Sequence, residues 1–135
     1  MLGLAEPMGL SSCNRYFVPP GSEIYDREEA DITAAIIPAV EHIEAVLNSR
    51  PDAVVFVHCV QGISRSTSVV VAYLMRANRA LDFTAALRMV QAVRPRANPN
   101  ASFVSQVQAL QPLLQPDSEA MAVPQLPPDW EENWL

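Results

Sequence analysis

From Ile32 onward the apolar residues recur with a helical step. Ile32, Ile36, Val40, Ile43 and Leu47 are spaced by four and three, which places them on one face of a helix over 32–47. Asp31, just ahead, is expected to be its N-cap. Pro38 inside the segment predicts a kink or a later helix start. The pattern then changes. AVVFV (53–57) is β-branched and apolar on both alternations, as in a strand buried on both faces. Residues 65–78 are largely apolar and read as a well-buried helix. In ALDFTAALRMVQAVRP, Asp82 is the expected N-cap, Phe83, Ala86, Leu87, Val90 and Val93 form the apolar face, and Pro95 ends the helix. NPNASFVSQVQALQPLL opens with turn residues and continues as a last helix over 102–114, through Phe103, Val107, Leu110 and Leu114.

The ends of the chain carry no such period. Residues 1–22 are expected to be irregular, with VPPGS (18–22) a turn, and DREEAD (26–31) a charged loop. Residues 116–135 are Pro-rich and acidic and read as a disordered tail, in which Trp130 and Trp134 are the residues able to dock. No internal repeat is present. A length of 135 residues allows one domain.

Composition narrows the function. Half of the residues are apolar, enough for a core. The longest apolar run, Val69 to Met75, is far too short to span a bilayer, and the N-terminus lacks the basic start and apolar centre of a signal peptide. The expectation is a soluble protein of the cytoplasm, or of cytoplasm and nucleus. The formal charge is -6, with five acids and no base from Pro116 onward and no lysine anywhere. Such a surface excludes the basic footprint of a nucleic-acid binder and disfavours anionic membrane surfaces. Two cysteines, Cys13 and Cys59, make no disulfide framework. A single cysteine beside a histidine fits a reactive thiol in a reducing compartment.

The chemistry concentrates in VHCVQGISRSTSVVV (57–71), where a buried strand meets a helix N-terminus. A loop at that junction turns backbone N–H groups toward one point, and the helix dipole adds positive potential there. Gly62 lets the backbone curl around an anion. Arg65 adds a planar fork suited to phosphate. Cys59 feels the same field, so its thiolate is favoured. One loop can thus hold a phosphate group and aim a sulfur at its phosphorus atom.

HCVQGISRS resembles the signature loop of cysteine-based protein phosphatases, and the HCxxGxSRS form resembles their dual-specificity branch in particular. AYLM (72–75), ALRMVQAVRPRANPNASFVSQVQAL and DREEADITAAIIPAVEHIEAVL resemble the flanking segments of that branch, over about residues 24–115. The resemblance implies an α/β, phosphatase-like catalytic domain over 23–115, with a mainly parallel sheet flanked by helices. It implies that Cys59 is the nucleophile that forms a phosphocysteine, and that Arg65 holds the phosphoryl oxygens. The amides of Val60, Gln61, Gly62, Ile63, Ser64 and Arg65 would share that task. Ser66 would help the sulfur leave, and His58 would order the loop and keep the sulfur ionised. The general acid comes from the upstream loop, and the apolar helix positions align Asp26 with it. Asp31 is the other candidate, with a sufficient role as N-cap.

The resemblance further implies phosphotyrosine and phosphoserine/threonine in proteins as substrates, with no metal and no cofactor. Val60, Gln61 and Ile63 are neutral, where phosphoinositide-cleaving relatives tend to carry lysines. The alternatives are a phosphoprotein-binding module with weak or no turnover, and a phosphatase of lipid or RNA phosphates. The family has several strands and a helix ahead of the acid loop, whereas 25 residues precede Asp26 here. The expectation is therefore a sheet lacking some N-terminal strands, with AVVFV exposed at an edge or without a neighbour, reduced stability and self-association.

Overall fold

The computed structural model describes residues 3–5, 16–17 and 24–116. Three short strands and five helices lie among them: β1 (Gly3–Ala5), β2 (Tyr16–Phe17), α1 (Thr33–Ser49), β3 (Phe56–His58), α2 (Arg65–Ala77), α3 (Phe83–Val93), α4 (Ala101–Ala109) and α5 (Gln111–Leu114). The acidic tail from residue 117 lies outside the described residues.

The helical period of the first segment holds. Ile32, Ile36, Val40 and Ile43 are buried, and Leu47 packs against the same core from a half-buried position. Asp31 is not the N-cap itself. Ile32 holds that position, and the Asp31 carboxylate accepts the Thr33 amide at 2.8 Å and the Thr33 hydroxyl from one residue earlier. The helix runs through Pro38. Proline at this point deprives the Ala34 carbonyl of its donor, but both residues are on the exposed side, where water can serve it. Pro51 follows the extended Arg50 and stops the helix.

The strand differs from its expectation in place and in burial. β3 is Phe56–His58 rather than 53–57. Side chains alternate across a strand. Val55 and Val57 face the helical core, while Val54 and Phe56 turn outward, Phe56 being 55% exposed. Only one face of the strand is therefore covered among the described residues. β3 does have a neighbour. β1 pairs with it antiparallel, Leu4 opposite Val57, and β2 pairs with β1 antiparallel, in the order β2-β1-β3. The mainly parallel sheet implied by the resemblance is not seen in these two pairings. Both upstream strands fall in the segment read as irregular, because two or three residues are too few to display an alternation.

α2 is the centre of the molecule. It touches α1, α3, α4, α5 and β3, and Val69, Val71, Ala72 and Met75 are buried. α3 starts as expected: the Asp82 carboxylate accepts the Ala85 amide at 2.7 Å. Phe83 and Ala86 are buried and Leu87 and Val90 pack beside them, but Val93 at the helix end is exposed. The last helix is divided. Leu110 separates α4 from α5. Pro112 has no N–H to give the Gln108 carbonyl, so the chain re-forms its turn around Leu110. Phe103, Val107 and Leu114 remain on the buried side.

Candidate active site

Cys59 is the first residue beyond β3, and Arg65 opens α2. The six-residue turn between strand and helix bends at Gly62, which has φ +63°. Glycine adopts this left-handed conformation without a steric cost. The turn closes onto the sulfur. The Gly62 amide donates to Cys59 Sγ at 3.2 Å, and the Ser66 hydroxyl lies 3.2 Å from the same atom. Burial pushes the thiol up. Hydrogen bonds from the Ser66 hydroxyl and from the amides of Ser66, Gly62 and Gln61 outweigh it, and the pKa falls to about 7. A thiolate is thus available at neutral pH.

Arg65 is only 9% exposed. Its Nη1 donates to the Ile24 carbonyl at 3.0 Å, while the buried Nε has no hydrogen-bond partner. A buried donor left unmatched is costly. Ser64 is buried beneath. Its carbonyl accepts the amide and the hydroxyl of Ser68, each at 2.9 Å. Val60 and Gln61 sit at the exposed rim, Ile63 and Gly62 are half-buried. A cavity of about 350 Å³ borders the turn, with Cys59, Gly62 and Ser66 on one side and Phe56, Val70 and Val90 on another. The His58 ring stacks on Phe56, with centroids 5.4 Å apart.

The two carboxylates considered as the acid stand differently. Asp31 is tied to Thr33 at the start of α1, and the Thr33 hydroxyl and then its amide hold the carboxyl below its ordinary range. Asp26 Oδ1 accepts from Asn100 Nδ2 at 2.9 Å, and the Asn100 amide donates to Ser64 Oγ at 3.0 Å. Two hydrogen bonds therefore connect Asp26 to the turn that carries Cys59.

Several residues that organise the site are not singled out by the sequence. Asn100 also caps α4, its Oδ1 accepting the Phe103 amide at 2.9 Å. An asparagine before an apolar helix signals a cap, but nothing local signals the bond to Asp26. Gln106 braces the 26–31 loop, accepting from the Ile32 amide and donating to the Ala30 carbonyl, both at 2.8 Å. Arg94 donates to the carbonyls of Gln61 and Gly62, and the Asn98 amide to that of Ile63.

The chain is similar to known proteins of one family. The family model described as dual specificity phosphatase, catalytic domain, matches residues 13–112. Dual specificity protein phosphatase 1B of Arabidopsis thaliana is 36% identical over 99 residues, covering 73% of this chain and 58% of that protein. Dual specificity phosphatase 28 of Homo sapiens is 38% identical over 95 residues, covering 70% and 52%. The crystal structure of human DUSP28 superposes with a TM-score of 0.55 at 34% identity, covering 68% of this chain and 60% of that one. This chain spans about half the length of these two curated relatives. The α/β architecture is phosphatase-like.

Proposed function

The chain belongs to the dual-specificity phosphatase family, and on that premise we propose that it hydrolyses phosphate monoesters of tyrosine and serine/threonine side chains in proteins. The observation that carries this reading is the pairing of two groups in one turn. Cys59 Sγ is held by Ser66 and the Gly62 amide, and Arg65, the residue at which that turn enters α2, has a buried Nε with no partner. The thiolate attacks phosphorus, and the bond from phosphorus to the ester oxygen breaks. Asp26 gives its proton to that oxygen, which leaves as the free alcohol. Arg65 and the turn amides hold the equatorial oxygens, whose charge they stabilise as the transition state forms. Water then attacks the phosphocysteine. Its proton returns to Asp26, inorganic phosphate departs, and the sulfur leaves as a thiolate that accepts a hydrogen bond from Ser66. Asp31 fits the acid's role less well, because its carboxylate is engaged by the amide and hydroxyl of Thr33 at the start of α1.

Replacement of the nucleophile tests this. Cys59→Ser is expected to abolish turnover of an aryl phosphate while vanadate still binds, since serine keeps the turn but offers no anion at neutral pH. Substantial turnover by that variant would remove Cys59 from the mechanism. A wild-type chain that binds vanadate without turning over substrate would instead be a phosphoprotein-binding module.

A further inference from the structure

The outer side of the phosphate-holding turn is gripped by one side chain from α3's end. Arg94 Nη2 donates to the Gln61 carbonyl at 3.0 Å, and Nε donates to the Gly62 carbonyl at 2.7 Å. The next carbonyl, that of Ile63, accepts the Asn98 amide at 2.8 Å. Three consecutive carbonyls are thus held from outside. In a trans peptide unit the N–H points opposite to the C=O, and no described peptide bond is cis. Holding the Gln61 carbonyl out turns the Gly62 N–H in, and that N–H reaches Cys59 Sγ at 3.2 Å. Holding the Gly62 carbonyl directs the Ile63 N–H in the same way.

The turn needs such a hold. Glycine permits the φ of +63° at position 62, but the same freedom lets the two flanking peptide units rotate at little cost. The fit is close. A methyl group on Gly62 would come within 2.9 Å of Arg94 Nη2 and 3.3 Å of Cζ and Nε. The guanidinium occupies the space that the absent side chain leaves, and its fork spans two carbonyls that one ammonium could not reach together.

Resting on the phosphatase reading above, we propose that Arg94 is a positioning residue. Its guanidinium fixes the peptide units on either side of Gly62, so that their amides face the sulfur and the incoming oxyanion. It acts through the turn, from the border of the cavity it shares with Cys59.

The full chain is compared with Arg94→Lys, which keeps the charge but loses the fork, and Arg94→Gln, which loses both. The measurements are the pH profile of Cys59 alkylation by iodoacetamide, the affinity for vanadate, and exchange of the Gly62 amide. In both variants the alkylation midpoint is expected to rise and the Gly62 amide to exchange faster. Vanadate affinity should fall about tenfold, as expected for two modest hydrogen bonds. A lysine variant equal to wild type in all three would reduce Arg94 to a distant charge and overturn the proposal. So would a glutamine variant with an unshifted midpoint and unchanged vanadate affinity. If Arg94→Gln fails to fold, Arg94→Lys decides alone. None of these readings requires turnover. Failure of the phosphatase reading would appear separately, as a wild-type chain that binds vanadate but does not turn over an aryl phosphate.

Discussion

At Cys59 two opposing influences meet. Half-burial penalises the charged sulfur, and the donors of Ser66, Gly62 and Gln61 reward it, with a net pKa of about 7. Because the folded value is lowered, the thiolate is populated above that pH and lost below it. The stability it contributes is present above the unfolded thiol's value and disappears as pH falls through about 7. The rate of alkylation by iodoacetamide should therefore rise through a midpoint near 7. Ser66→Ala removes the hydroxyl 3.2 Å from the sulfur and should move that midpoint upward. A midpoint unmoved by the substitution would mean that the amides alone set the charge.

Between elements, Asn100 joins three parts of the fold with a few atoms. It caps α4, supports Ser64 at the foot of α2, and holds Asp26 in the acid loop. Asn100→Asp separates these tasks. The aspartate still supplies an oxygen for the Phe103 amide, so α4 keeps its cap. It cannot donate to Asp26 and places a like charge beside it. The loss should depend on the leaving group. Hydrolysis of phosphoserine, whose alkoxide needs a proton, should slow by at least about tenfold, within the range general acids supply. An aryl phosphate with a good leaving group should be nearly unaffected. Equal slowing of both substrates would assign Asn100 a purely structural role. Loss of the same selectivity in Asp31→Asn, but not in Asp26→Asn, would transfer the acid's role to Asp31.

For the molecule as a whole, the helix that presents Arg65 is also the one the core is built around. Arg65, Ser66, Thr67 and Ser68 in its first turn are buried, and Met75 lies fully buried toward its far end. Ten residues of helix separate Met75 from Arg65, about 15 Å of rise. Met75→Ala leaves a cavity there and should cost about 2–5 kcal/mol. Against a total of about 5–15 kcal/mol, that is a large share. The melting temperature should drop by roughly 6–25 °C, while kcat measured well below the transition should stay close to wild type. A fall in kcat that persists at low temperature would show that packing at this distance also shapes the turn.

The turn from Cys59 to Ser66 was legible from the chain because its parts are contiguous. Cys59, Gly62, Arg65 and Ser66 fall within eight positions, and a strand followed by a glycine turn and a helix brings them together by local geometry. The faces of α1 and α3 and the Asp82 cap were legible for the same reason: their periods and offsets are local. What only tertiary packing decided lies at long separation. Asn100 meets Asp26 across 74 positions, Arg65 meets the Ile24 carbonyl across 41, and Arg94 meets Gly62 across 32. No local pattern encodes such pairs, because they depend on where α3, α4 and the acid loop come to rest around α2. The burial of AVVFV belongs to the same class. Its apolar residues suit a strand covered on both faces, yet a strand's own sequence cannot determine which of its faces the rest of the fold will cover. Here helices cover Val55 and Val57, and Phe56 is left outside.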